Sequence, residues 1–170
     1  MSPAPTMILR PATAADCARV LAWRNHPAVR LVMFTSHEIG PDEHAAWWQR
    51  VMGDPSYCLL ILNWQGQDCG IVNFSAIDRA AGRCDWGFYF NPEAFSDGLA
   101  RLKAWNEMEK ASLAFAVQTL GCTTVGCEVI ASNAAVLAMH GRYGFREIGR
   151  YERRRDEALL TVIRLERRAP

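Results

Sequence analysis

Residues 98–120 constrain the fold more than any other stretch. The run is rich in Ala, Leu, Glu, Lys and Met and contains no glycine or proline after Gly98, so nothing in it opposes a helix. Gly121 follows at once, suited to the left-handed turn that closes a helix. A helix of this length spans roughly 35 Å at 1.5 Å per residue. Its stability must come from packing an apolar face on something. The flanking segments supply that surface, because both read as strands.

Upstream lie three strand candidates, 57–63, 70–77 and 84–90, joined by polar stretches at 64–68 and 78–82. Each stretch carries a glycine fit for a hairpin turn, so three consecutive antiparallel strands are expected. Downstream, β-branched residues predict a strand over 123–130, and Ser132-Asn133 caps a helix running through His140 to Tyr143, where Gly144 stops it. Two further strands are expected over 145–153 and 158–164. At the other end, 7–11 reads as a strand, and Thr13 with Asp16 has the spacing of a capping box. The helix it opens places Cys17, Val20, Leu21 and Trp23 or Arg24 at helical period and ends at His26-Pro27. Gly40-Pro41-Asp42-Glu43 starts another, with proline at the first position and carboxylates in the first turn, ending near 53–55. The order is strand, two helices, three strands, long helix, strand, helix, two strands. It predicts an α/β (α+β) fold with a mixed sheet and helices on both faces.

A chain of 170 residues, half of them apolar, suits one domain over 1–170, with 1–6 expected to be disordered. Nineteen Lys and Arg offset eighteen Asp and Glu, so no global field points to nucleic acid or an anionic membrane. Arg153, Arg154 and Arg155 read as a solvated strand end. Apolar runs are too short to span a bilayer, and the N-terminus lacks a charged start followed by an apolar segment, so a cytoplasmic location is expected. Six cysteines are scattered without a C-x-x-C pair and read as reduced core residues. The four histidines show no ligand spacing, so no metal is expected.

The element order, together with Glu128-Val129 on a strand, Ser132-Asn133 opening the next helix and Tyr143-Gly144-Phe145 at its end, resembles the GCN5-related N-acetyltransferases over essentially the whole chain. Within that superfamily, Trp23-Arg24-Asn25-His26-Pro27, Met33-Phe34 and Glu43-His44 with Trp47 are similar to the amino-sugar N-acetyltransferases of the pseudaminic acid pathway. Those enzymes acetylate the 4-amino group of a UDP-linked dideoxy amino sugar used on flagellin. Ribosomal-protein N-acetyltransferases share a looser Trp-Arg-Asn start.

The resemblance implies a mostly antiparallel seven-stranded sheet whose central strands, 84–90 and 123–130, splay apart. It also implies acetyl-CoA as cosubstrate. Its pantetheine arm would lie along the open backbone of Phe88, Tyr89 and Phe90 like an added strand. Its pyrophosphate would sit on the N-terminus of the long helix at Gly98, Leu99 and Ala100, with Arg101 and Lys103 as compensating charges. The family's loop motif there begins with a polar residue, whereas this chain has Phe95, and Asp97 places a negative charge where a diphosphate would come. Glu128 matches the base that deprotonates the amine. As a lone glutamate in an apolar strand it would be costly to bury without a purpose or an ion-pair partner. His140 takes the position of the general acid, with Tyr143 one turn on as the alternative, and Asn133 would cap its helix and touch pantetheine.

For the acceptor, the resemblance points to Arg24, Asn25, His26, Met33, Phe34, His44 and Trp47. A guanidinium suits a nucleotide diphosphate, and the apolar surfaces suit a sugar or base. The same residues also fit plain structural roles, Met33 and Trp47 in a core and Arg24 as a helix C-terminal cation. The expected partner is a small-molecule nucleotide sugar, for a monomer or homodimer. Two other readings stay open: an acetyltransferase for protein N-termini or small amines, and a degenerate domain that only binds an acyl-CoA or a partner.

Overall fold

A computed structural model describes residues 7–169, so the first six residues and the disorder expected of them lie outside it. The chain runs β1 (Met7–Pro11), a 3-10 turn (Ala14–Asp16), α1 (Cys17–Asn25), α2 (Pro27–Arg30), α3 (Pro41–Met52) and the strands β2 (Cys58–Trp64), β3 (Gln67–Asp78) and β4 (Arg83–Phe90). There follow α4 (Gly98–Gln118), β5 (Thr124–Ile130), α5 (Ala134–Arg142), β6 (Arg146–Arg155) and β7 (Ala158–Arg168). The seven strands form one sheet in the order β1-β2-β3-β4-β5-β7-β6. Every neighbouring pair is antiparallel except β4 with β5, which gives the mixed, mostly antiparallel sheet expected.

Local chemistry explains the boundaries. The Thr13 N–H donates to Asp16 at 2.9 Å, fixing the entry to α1. His26 does end α1, but Pro27 then starts the short α2, with the His26 Nδ1 accepting from the Ala28 N–H at 3.2 Å. Sequence reading missed this extra turn, because proline both stops one helix and suits the first position of another. Between β2 and β3 the connection shrinks to Gln65 and Gly66, both at positive φ, the two-residue hairpin whose twist matches its strands. The strands therefore run longer than expected.

The sheet separates two cores. On one face α4 and α5 pack on Leu60, Val72, Phe74, Trp86, Val125 and their neighbours. On the other, α1 and α3 cover Leu59, Ile61 and Ile71, with Val20 and Trp48 beneath them. Cys69, Cys84, Cys122 and Cys127 are all buried in the first core. No helix among the described residues is long and apolar enough to cross a membrane.

Candidate active site

The strands that should part do so. β4 and β5 are paired only from Arg83 to Asp85 against Thr124 to Gly126, yet β4 continues to Phe90 and β5 to Ile130. Beyond Asp85, β4 stays bonded to β3 on its far side and β5 to β7 on its own. The inner edges of both strands are left without a ladder partner. Buried backbone groups need partners, so this wedge is prepared to receive an extended ligand. A cavity of about 490 Å³ fills it, lined by Trp86 to Phe90, Cys127 to Ile130, Asn133, Val136 and His140.

Alternation along the strands gives the wedge two different sides. Towards α4 and α5 it is aromatic: Phe88 meets Trp105 with ring centroids 5.7 Å apart, and Trp86 meets His140 at 5.2 Å. Towards α1 and α3 it is polar. Asn73 and Ser75 of β3, Asp85 of β4, Glu128 of β5 and Arg164 of β7 line the same cavity there. The Arg164 Nη2 donates to Asp85 at 2.5 Å, and that bond keeps the guanidinium charged, above its ordinary range, against the opposing effect of burial. The pair crosses Gly126, where a Cβ would overlap both groups.

Glu128 stands on this polar side, and it is exposed rather than buried. The expectation that it would be a costly buried charge is corrected: its strand is apolar on the α4 face only, and Glu128 points to the other, where Arg164 is its cross-strand neighbour. His140 is 2% exposed, and its Nδ1 lies 2.8 Å from Glu109 of α4. Asn133 caps α5, accepting from the Val136 N–H at 3.4 Å, and lines the wedge.

Phe88, Tyr89, Phe90 and Arg101 also line it, with Met33 and Phe34 from the loop after α2. Gly98, Leu99 and Ala100 do not. Asp97 caps α4, its carboxylate accepting from the Ala100 N–H at 2.8 Å, and that bond holds it below the usual carboxylate range. The helix tip expected to cradle a pyrophosphate thus already carries a negative charge, because aspartate is among the best N-caps. Phe95, the other departure in this loop, packs edge-on against Phe90 at 5.2 Å. Tyr143 is also outside the wedge. Its hydroxyl donates to Asn106 of α4 at 2.9 Å, so it is held against α4.

A second cavity, of about 550 Å³, adjoins the first and shares Met33, Asn73 and Tyr89 with it. Its walls include Arg24, His44, Trp47, Arg50 and Tyr57. Arg24 donates through Nη2 to the Thr35 hydroxyl at 2.7 Å and to its carbonyl at 3.1 Å, while the buried Nη1 has no protein partner. His44 is buried, bonded through Nε2 to the Cys17 carbonyl at 3.0 Å, and burial lowers its pKa. Asn25 and His26 are not in either lining. Asn25 instead exchanges two 2.8 Å hydrogen bonds with the Ile39 backbone, and His26 is occupied as the cap of α2. Both brace the chain around this cavity rather than line it.

Sequence reading missed Asp85, Arg164, Asn73, Ser75 and Glu109. Asn73 with Ser75, and Asp85 two residues before Gly87, are polar positions of matching parity in otherwise apolar strands, a signal of one wetted face. Glu109 left no such trace in a helix rich in charges.

A family model described as an acetyltransferase (GNAT) domain matches residues 6–146. A search of curated proteins gives no match. Among solved structures, the spermidine N-acetyltransferase from Vibrio cholerae in complex with CoA and spermine superposes with a TM-score of 0.79 at 17% identity, over 95% of this chain and 94% of that one. The dodecameric form of that enzyme gives 0.76 at 16%, over 96% and 94%. A protein provisionally assigned as a phosphinothricin N-acetyltransferase gives 0.78 at 16%, over 96% and 99%. At these identities the likeness shows the fold.

Proposed function

The chain belongs to the acetyltransferase (GNAT) domain family, and from that premise we propose that it moves the acetyl group of acetyl-CoA to the 4-amino group of a nucleotide-linked dideoxy amino sugar. The observation that carries the acceptor is the pair of adjoining cavities. An amine at the wedge can continue into a second chamber with aromatic walls and the Arg24 and Arg50 side chains in its lining, as a sugar followed by a diphosphate and base requires. The charges support the same choice. Arg24, Arg50, Arg101 and Arg164 line the two cavities against Glu43, Asp85 and Glu128, so a polycation gains little there.

When bound, acetyl-CoA supplies the acetyl group as a reactive thioester. The residues present fit its arm: the open inner edge of β4 at Phe88 to Phe90 can pair with the pantetheine amides, Asn133 borders the arm and Arg101 lines the same cavity, whereas the Asp97 carboxylate that caps α4 makes the helix tip a poor seat for the phosphates. Glu128 takes a proton from the acceptor's ammonium, directly or through a water, because only the neutral amine attacks a carbonyl. His140 supplies the proton that the departing sulfur needs.

A second reading, a compact amine acceptor, draws on Asp85 and Glu128, which suit an ammonium without any nucleotide. Turnover with acetyl-CoA against a UDP-4-amino dideoxy sugar, spermidine, phosphinothricin and a short peptide separates the two. The proposal expects the nucleotide sugar to give the highest kcat/KM. Preference for spermidine or the peptide rejects it, and coenzyme A binding with no turnover of any acceptor leaves a binding domain.

A further inference from the structure

We infer that Glu109 is a positioning residue for the transfer step, and that it acts through His140. The inference rests on the reading that the thioester lies in the wedge. Glu109 is 0% exposed although it sits in the middle of α4. Its Oε1 lies 2.8 Å from the His140 Nδ1 and 3.2 Å from the Trp105 Nε1. An indole N–H can only donate, so Oε1 accepts from Trp105; in the proposed arrangement the carboxyl group is ionised and the imidazole meets Oε1 as an Nδ1–H donor, while Oε2 is buried without a partner among the described residues. The other nitrogen, Nε2, has no hydrogen-bond partner among the described residues.

Burying a carboxylate completely costs several kcal/mol, and two apolar side chains would join α4 to α5 without that cost. The arrangement makes sense as chemistry. Trp86, Phe88 and Phe145 wall the ring, with centroids 5.2, 6.0 and 5.0 Å away, and His140 borders the wedge cavity beside Asn133 and Val136. With Nδ1–H tied to a carboxylate, the ring exchanges protons only through Nε2, and its orientation is fixed by one charge-assisted bond. As the amine nitrogen bonds to the carbonyl carbon, the carbon–sulfur bond breaks and the thiolate leaves with the electron pair. It takes a proton from the His140 Nε2. The nitrogen gives up two protons in becoming an amide, one from the ammonium to Glu128 before attack and one to water as the adduct collapses, while the thiolate gains one, so one proton is released overall. Nε2 is recharged from water when products leave.

The test uses the full chain, acetyl-CoA and whichever of the UDP-4-amino dideoxy sugar, spermidine, phosphinothricin or the short peptide the unmodified protein turns over. Glu109→Gln keeps the side-chain volume and removes the charge. It should lower kcat at least tenfold with the KM for acetyl-CoA within twofold, and it should add nothing in a His140→Gln background, as for groups acting as a unit. In the ligand-free protein, the proton spectrum should show a His140 Nδ1–H resonance far downfield that moves back upfield in E109Q. Unchanged kcat in E109Q or in H140Q overturns the inference, as do multiplying losses in the double variant or an unprotonated Nδ1. If E109Q does not fold, H140Q and the resonance of the unmodified protein still decide. No turnover by the unmodified protein rejects acetyl transfer and this inference with it; turnover with an indifferent E109Q rejects the inference alone.

Discussion

Two acidic residues illustrate how one side-chain type serves opposite ends. Glu128 is exposed on the polar side of the wedge, available to a ligand. Replacing it with glutamine should cut kcat about a hundredfold or more and leave the affinity for coenzyme A, measured by calorimetry, nearly unchanged. Asp16 is 1% exposed and serves stability. Its carboxylate accepts from Arg10 at 2.8 and 2.9 Å, and chiefly because of Arg10 its pKa falls from 3.8 to about 2. A depressed folded-state value stabilises the native state above the unfolded pKa and is lost as pH falls through the folded one. Asp16→Asn should therefore melt below the unmodified protein at neutral pH, with the gap narrowing between about pH 4 and pH 2 in thermal scans. Sequence exposed the pairing of Asp16 with Thr13, three residues apart, but not its bond to Arg10 across the turn. The place of Glu128 on a strand was legible; its exposure was not, because parity in a strand depends on which face each neighbouring layer covers. Asp85 and Arg164 are 79 positions apart, a distance over which no local pattern signals a contact.

At the scale of elements, the run of arginines read as a solvated strand end is exposed at Arg153 and Arg154, but Arg155 and Arg153 also act as a clasp. The Arg155 Nη1 donates to the Leu31 and Met33 carbonyls at 2.9 and 3.0 Å. The Arg153 guanidinium lies 4.8 Å from the Phe34 ring centroid, and Ser36 bonds to Asp156 at the hairpin tip. The tip of β6 and β7 thus holds the loop that brings Met33 and Phe34 into the cavities. Arg155→Ala should raise the acceptor KM roughly tenfold, the equivalent of about 1.4 kcal/mol lost in hydrogen bonding, without changing the KM for acetyl-CoA in steady-state kinetics. Long periodic elements such as α4 were readable because their own residues fix them. β6 was readable only in part: nine of its ten residues are exposed, so its hydrophobicity does not alternate, and what it touches is the far end of the chain.

For the whole molecule, the order of elements predicted the mixed sheet because each strand and helix was legible by itself and few topologies join them without crossing. The splay of β4 from β5 came from the family resemblance rather than from any residue pattern, since three paired positions followed by open edges leave no mark in composition. That wedge unites the account. It brings Glu128 from one face and His140 from the other to a single cavity, and the exposed backbone between them gives an extended arm somewhere to bond. The most direct test is a crystal structure of the chain with coenzyme A. Pantetheine amides should be hydrogen-bonded to the main chain of β4 between Gly87 and Phe90, with the sulfur between Glu128 and His140. Coenzyme A bound elsewhere, or β4 and β5 closed onto each other through Phe90 and Ile130, would contradict it.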